Sequence, residues 1–234
     1  PEKIGKSDVV EIGEYAFAAN ASRIKIEQRD FRRKEITRVK LPKTITKIGS
    51  GAFSSCEALE EINLPDGLVE IGEDAFTGCR KLTELVIPDT VTKMERGVFA
   101  GCLALQAVKL SDSLTEICDY LFSNCRKLLE IKLPAGLQSI GIWAFARCVE
   151  LEEIVIPDGV TEIKRQAFMN CEKLKTVVIP ASVKSIKNYI YRKQPPETVF
   201  HESPNVTAVV EKGSYAEKYC IKNGINYRLE EGGK

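Results

Sequence analysis

The side chains of this 234-residue chain that could do chemistry are eight cysteines, a single histidine and many carboxylates. Six cysteines, Cys56, Cys79, Cys102, Cys125, Cys148 and Cys171, fall 23 residues apart, while Cys118 and Cys220 lie off the series. Zinc sites draw on paired ligands two to four residues apart, and no C-x-x-C pair occurs, so the spacing argues against a metal centre. Thiols at one repeated position read instead as an inward ladder of small apolar groups, each able to donate weakly to a carbonyl. Neighbouring rungs, about 5 Å apart, are within disulfide range, but parallel side chains are wrongly oriented for bridging, so free thiols are expected. Cys118 and Cys220 are then the two whose reactivity matters.

Catalysis would have to use His201. It sits in Val199-Phe200-His201-Glu202-Ser203-Pro204, which reads as a loop, and the adjacent Glu202 and Ser203 are chain neighbours rather than a triad. No G-x-x-x-x-G-K-[ST] or G-x-G-x-x-G phosphate loop is present. Recurring carboxylates on a repeat protein mark a solvated face. The expectation is a chain that is not an enzyme and needs no cofactor. Asn20-Ala21-Ser22 and Asn205-Val206-Thr207 match the glycosylation acceptor pattern. Asn20 occupies the cysteine column and is expected to be buried, which leaves Asn205, and only in a eukaryotic secretory pathway.

What positions these groups is a period of 23. Phe53, Phe76, Phe99, Phe122, Phe145 and Phe168 keep the same spacing as the cysteines, with no insertion among six units. The aligned unit reads C-x-x-L-x-x-[IV]-x-[LI]-[PS]-x-x-[LV]-x-x-[IM]-x-x-x-[AVL]-F-x-x. Alternation at Ile62 and Leu64 predicts a short strand with one face inward. Proline closes it at 42, 65, 88, 134, 157 and 180, and serine does so at Ser111. A second extended segment, Gly67 to Ile71, leads to a loose helical or 3₁₀ turn that drops Phe76 into the core. One coil cannot bury its own apolar set, so the coils must stack.

The L-P, I-x-x-x-A-F and C-x-x-L signatures resemble the BspA-type leucine-rich repeat family over about residues 36 to 191. The resemblance implies a surface or secreted binding protein of a bacterium or protist, in some members an adhesin. The expected fold is a right-handed leucine-rich repeat solenoid, mainly β with little helix. Short parallel strands form its concave side, with loose helical or 3₁₀ turns opposite. Residues 1–35 read as an irregular N-terminal repeat with an insertion around Glu27 to Lys34. Residues 36–197 are tandem repeats, and 198–234 a C-terminal cap. Ile186 and Tyr191 continue the isoleucine and phenylalanine columns until Gln194-Pro195-Pro196 breaks them. In the cap, Ser214 and Glu217 open a helix from Tyr215 to Asn223, Gly224 ends it, and Ile225, Tyr227 and Leu229 alternate as a last strand.

Lys and Arg number 34 against 33 Asp and Glu, a net charge of +1 with no basic footprint, so nucleic acid is not an expected partner. No apolar run approaches the roughly 18 residues of a membrane helix, so membrane insertion is not expected. The chain opens at Pro1 without the layout of a secretory signal, consistent with a leader already removed. Resemblance favours the cell surface or secretion, whereas unpaired cysteines favour a reducing interior.

Binding is expected on the outward residues of the first strand, which read Glu61 and Asn63, Glu84 and Val86, Ala107 and Lys109, Glu130 and Lys132, Glu153 and Val155, Thr176 and Val178. A basic or mixed-charge protein segment, from a host or cell-surface protein, suits that surface. The plainer reading is that these types are what an exposed strand tolerates. A second patch, Tyr120, Ile142 and Trp143, is either an interface anchor, with weak self-association, or a pair of rings folded over the turns. The alternative to a binding module is a structural spacer within a longer surface protein.

Overall fold

The structure, a computed structural model, describes residues 3–4, 7–8, 10–18, 35–190 and 195–230. The Glu27 to Lys34 insertion, Asn20 and Tyr191 lie outside the described residues. The chain winds as a solenoid in which each coil makes three walls. The first wall is built from three- and four-residue strands whose middle residue points inward: Glu61–Asn63 alternates exposed, buried, exposed around Ile62. These strands pair in parallel with a register of one repeat, Leu85 opposite Val108 and Ile154 opposite Val177. The second wall stacks two-residue strands, Lys47–Ile48 on Glu70–Ile71 on Lys93–Met94, and resumes with Glu116–Ile117 through Ser185–Ile186.

The third wall consists of turns. Each turn is closed by i to i+3 main-chain bonds, such as Ala75 N–H to Gly72 O and Cys79 N–H to Phe76 O. A continuous 3₁₀ helix does not form, because two residues per coil take left-handed φ. One series runs Gly51, Asp74, Gly97, Tyr120, Trp143 and Gln166; the other runs Ser55, Gly78, Gly101, Asn124, Arg147 and Asn170. This wall is stitched at every step, from Phe17 N–H on Ala52 O, through Phe76 N–H on Val98 O, to Phe168 N–H on Val199 O.

Inside, the phenylalanines form one stack, with centroids from 5.1 Å (Phe17 on Phe53) to 5.8 Å (Phe76 on Phe99). The coils approach closely where the second wall ends: a Cβ added at Gly72 would lie 2.6 Å from the Ser50 nitrogen. Beyond Phe168 the stack continues onto Phe200, at 5.7 Å. Phe168 and Phe200 are 32 residues apart, one 23-residue period plus nine, and the added length holds the Tyr189–Glu197 antiparallel bridge. The segment read as a loop near the cap therefore completes another coil, whose strand Thr207–Val210 pairs in parallel with Thr176–Ile179. The helix Tyr215–Asn223 follows, capped by Ser214 accepting from Glu217 N–H and ended by left-handed Gly224, and Asn226–Leu229 is the last strand of the sheet.

Candidate binding face

On the first wall, Glu61, Asn63, Glu84, Val86, Lys109, Glu130, Lys132, Glu153 and Val155 are exposed, and Thr176 and Val178 are half-buried. Glu61 pairs with Arg38 at 3.4 Å and Lys109 with Asp89 at 3.8 Å, whereas Glu84, Glu130 and Glu153 have no ion-pair partner among the described residues. Asn63 is occupied: its Oδ1 accepts from Leu41 N–H at 2.8 Å and its amide reaches Leu41 O, which ties two coils together. Val86 and Val155, 60% and 54% exposed, complete a surface of unpaired carboxylates and bare aliphatic groups.

The Tyr120 and Trp143 rings pack along the turn wall, tilted by 36° with centroids 5.7 Å apart. Arg96 covers the Tyr120 end of the pair, 4.6 Å from the ring centroid, and at the other end Trp143 Nε1–H donates to Gln166 Oε1 at 2.7 Å. Gln166 in turn donates to Glu197 Oε2 at 2.5 Å. Both rings are half-buried, as is Ile142, whose N–H goes to Asp119. Their contacts run along the turn wall rather than outward from it.

A cleft of about 450 Å³ opens in the second wall between Lys93–Arg96 and Thr115–Asp119, at the step where its strands do not pair. Several of its charges are paired, Lys93 with Glu95 at 2.6 Å and with Glu70 at 2.9 Å and Lys164 with Asp119 at 3.7 Å, while Arg96 reaches Glu73 on the neighbouring coil at 3.7 Å. Cys118 donates to Met94 O at 2.9 Å, a carbonyl whose counterpart Ile71 O accepts the Glu95 N–H one coil earlier. Burial, followed by neighbouring Glu116, pushes the Cys118 thiol up, and burial lifts Cys220 to about 11. Both stay neutral near pH 7, which removes the thiolate that reactivity requires.

None of the eight cysteines is joined in a disulfide. Five of the six ladder thiols donate to a phenylalanine carbonyl 26 residues earlier, from Cys79 on Phe53 at 3.3 Å to Cys171 on Phe145 at 3.1 Å. In Cys56 the acceptor is Phe17, across the insertion. Ser203 takes the same role, donating to Phe168 O at 2.7 Å while accepting from Cys171 N–H. Its hydroxyl is thus part of the ladder, and His201 faces Glu197 at 3.8 Å. Asn205 is exposed and its amide donates to Glu172 O.

The phenylalanine stack, the thiol ladder and the parallel strand walls repeat in the same order as the family's motif, and the family model for the BspA type leucine rich repeat region matches in six copies over residues 24–129 and 69–198. The chain belongs to the BspA-type leucine-rich repeat family. Among solved structures, this BspA-type chain is similar to a leucine-rich repeat protein from Bacteroides ovatus, 28% identical with a TM-score of 0.54, over 87% of this chain and 59% of that one. It is also similar to a leucine-rich repeat protein from Eubacterium ventriosum, 24% identical with a TM-score of 0.62, over 72% of this chain and 43% of that one. The chain thus spans about half the length of both. Among curated protein sequences none matches. No helix among the described residues is long and apolar enough to cross a membrane.

Proposed function

We propose that this BspA-type repeat module binds a basic or mixed-charge segment of another protein on its first wall, at the surface of a bacterial cell. The observation that carries this reading is the set of outward carboxylates Glu84, Glu130 and Glu153, without ion-pair partners among the described residues, beside exposed Val86 and Val155. Several charges on the other walls stitch coil to coil at one-repeat spacing, as in Lys93 with Glu70 and Lys173 with Glu150. Charges left unmatched on one rigid face favour a charged ligand and steer its approach. The family resemblance supports the surface placement.

The stitched charges on the remaining surface favour the second reading, a spacer in which the coils only add length. A pull-down from cell-surface, matrix and cytosolic extracts separates the two. It compares the wild type with a variant carrying Glu61→Lys, Glu84→Lys, Glu130→Lys and Glu153→Lys, its folding checked by circular dichroism. Loss of a specific partner supports binding on this wall. Partners retained by both forms move the site off it, and the absence of any partner supports the spacer.

A further inference from the structure

The first wall is not uniform. Its rungs join Arg38–Lys40 to Glu61–Asn63, Glu84–Val86 to Ala107–Lys109, and Glu153–Val155 onward; Asn63 and Glu84 mark one break, but among the described coils only Glu130-Ile131-Lys132 pairs with neither neighbour. Residues Glu130 to Leu133 make no main-chain hydrogen bond, although Ile131 and Leu133 bury their side chains like every other coil. The one main-chain bond at its entry is Leu129 N–H to Gln106 O, at 3.2 Å. Sheet backbone normally satisfies its polar groups within the ladder, so four consecutive residues without main-chain bonds make this coil the least tied rung of the wall, their donors and acceptors directed at the flanking coils.

A cleft of about 390 Å³ sits at this step, lined by Gln106, Ala107, Leu129, Glu130, Glu150 and Glu152. It has three carboxylates and no basic residue in its lining. Glu150 and Glu152 share their charge with Lys173 and Lys175 at 2.7 Å, while Glu130 has no ion-pair partner among the described residues. Leu129 is 51% exposed. In the other coils its position holds Glu60, Thr83, Gln106, Glu152 and Lys175, all polar. A bare leucine in a polar column beside a glutamate without an ion-pair partner offers one apolar contact and one charge within a single, loosely tied coil.

We infer that the Leu129–Leu133 coil is the anchor point of the first wall, taking an extended segment of a protein partner in which a lysine or arginine neighbours an aliphatic residue. The inference rests on the reading of the first wall as the binding face, and it states which coil dominates. The partner's basic group meets Glu130 and its aliphatic group covers Leu129. Uncoupled from both neighbouring strands, this coil adjusts to its ligand without disturbing the other rungs.

The test uses a defined probe, the peptide Ac-Lys-Leu-Lys-Leu-Lys-NH2, titrated into the whole chain by calorimetry and by amide chemical-shift mapping, with Ac-Glu-Leu-Glu-Leu-Glu-NH2 as control. The expected result is binding of the basic peptide only, shifts centred on residues 129–133, and at least a tenfold loss of affinity in Leu129→Ser and in Glu130→Lys. Both substitutions are at exposed positions that leave the core untouched. Shifts centred on other coils, with affinity unchanged in the two variants, would overturn the anchor while leaving the binding face intact. No binding of the basic peptide, together with partners indifferent to the fourfold charge reversal, overturns both.

Discussion

The Cys102 thiol donates to the carbonyl of Phe76, 26 residues earlier and one coil away, at 3.3 Å. That carbonyl lies under the turn wall and already accepts the Cys79 N–H, so the thiol fills its second lone pair. Cys102→Ala removes that second donor and opens a small void, and is expected to cost about 0.5–1.5 kcal/mol in urea unfolding. Cys102→Ser keeps a donor, as Ser203 does against Phe168, and should cost clearly less than the alanine. Equal losses in the two variants would show that the hydrogen bond contributes nothing.

The same burial makes stability depend on alkaline pH. Burial pushes Cys102 and Cys171 up to about 12 from an ordinary 9.0, and Cys125 and Cys148 are also raised by burial. A thiol that ionises more easily when unfolded stabilises the fold fully below about pH 9, and its contribution falls as pH rises towards the folded value. Between those limits each buried thiol contributes about 1.4 kcal/mol of lost stability per pH unit. Unfolding free energies measured from pH 7 to 11 should therefore be flat and then fall, and the fall should be shallower in a Cys102→Ser, Cys125→Ser variant.

Coil spacing in the second wall depends on absent side chains. Gly72→Ala places a Cβ 2.6 Å from the Ser50 nitrogen, against backbone that cannot swing aside, and should cost about 1–3 kcal/mol. Gly136→Ala meets nothing within 4 Å and should be neutral or stabilising by up to about 1 kcal/mol. Thermal melts of the two, side by side, check the contrast.

Phe200 is placed in the core stack although it stands nine residues late. Phe200→Ala should then behave as a core truncation, losing about 3–5 kcal/mol. A loss near zero would return this segment to the surface loop that its sequence suggests.

Trp143 is engaged at both ends, by the Tyr120 ring and by Gln166, so its removal should be felt as lost stability, not lost assembly. Trp143→Ala is expected to lower the melting temperature and leave the sedimentation coefficient unchanged. A shift in sedimentation with the melting point preserved would restore the patch as an interface.

Much of this was legible because a solenoid repeats its physics. The cysteine, phenylalanine and proline columns each recur at one spacing, and the helix after Ser214 carries its own start and stop residues. Phe200 was not legible, since an insertion of nine residues erases the register on which column reading depends; the neighbouring Ser203, three residues on as Cys171 follows Phe168, was the surviving signal. The left-handed positions were signalled by glycine at 51, 78, 97 and 101 and by Asn124 and Asn170, but Tyr120, Trp143 and Arg147 hide the pattern behind side chains that rarely take that conformation. The unpaired coil at Glu130–Lys132 has an alternation like any other coil, so nothing in its residue types announces that its rungs are absent.

The turn wall is bonded at every step from Phe17 to Phe200, whereas the first wall is interrupted between Asn63 and Glu84 and on both sides of Glu130–Lys132, and the second between Met94 and Glu116. Under tension along its axis such a body is anisotropic: one side is a tether of fixed length and the other two are seams that part first. Strain then bends the rod about its tether and opens those seams, the one beside Leu129 among them.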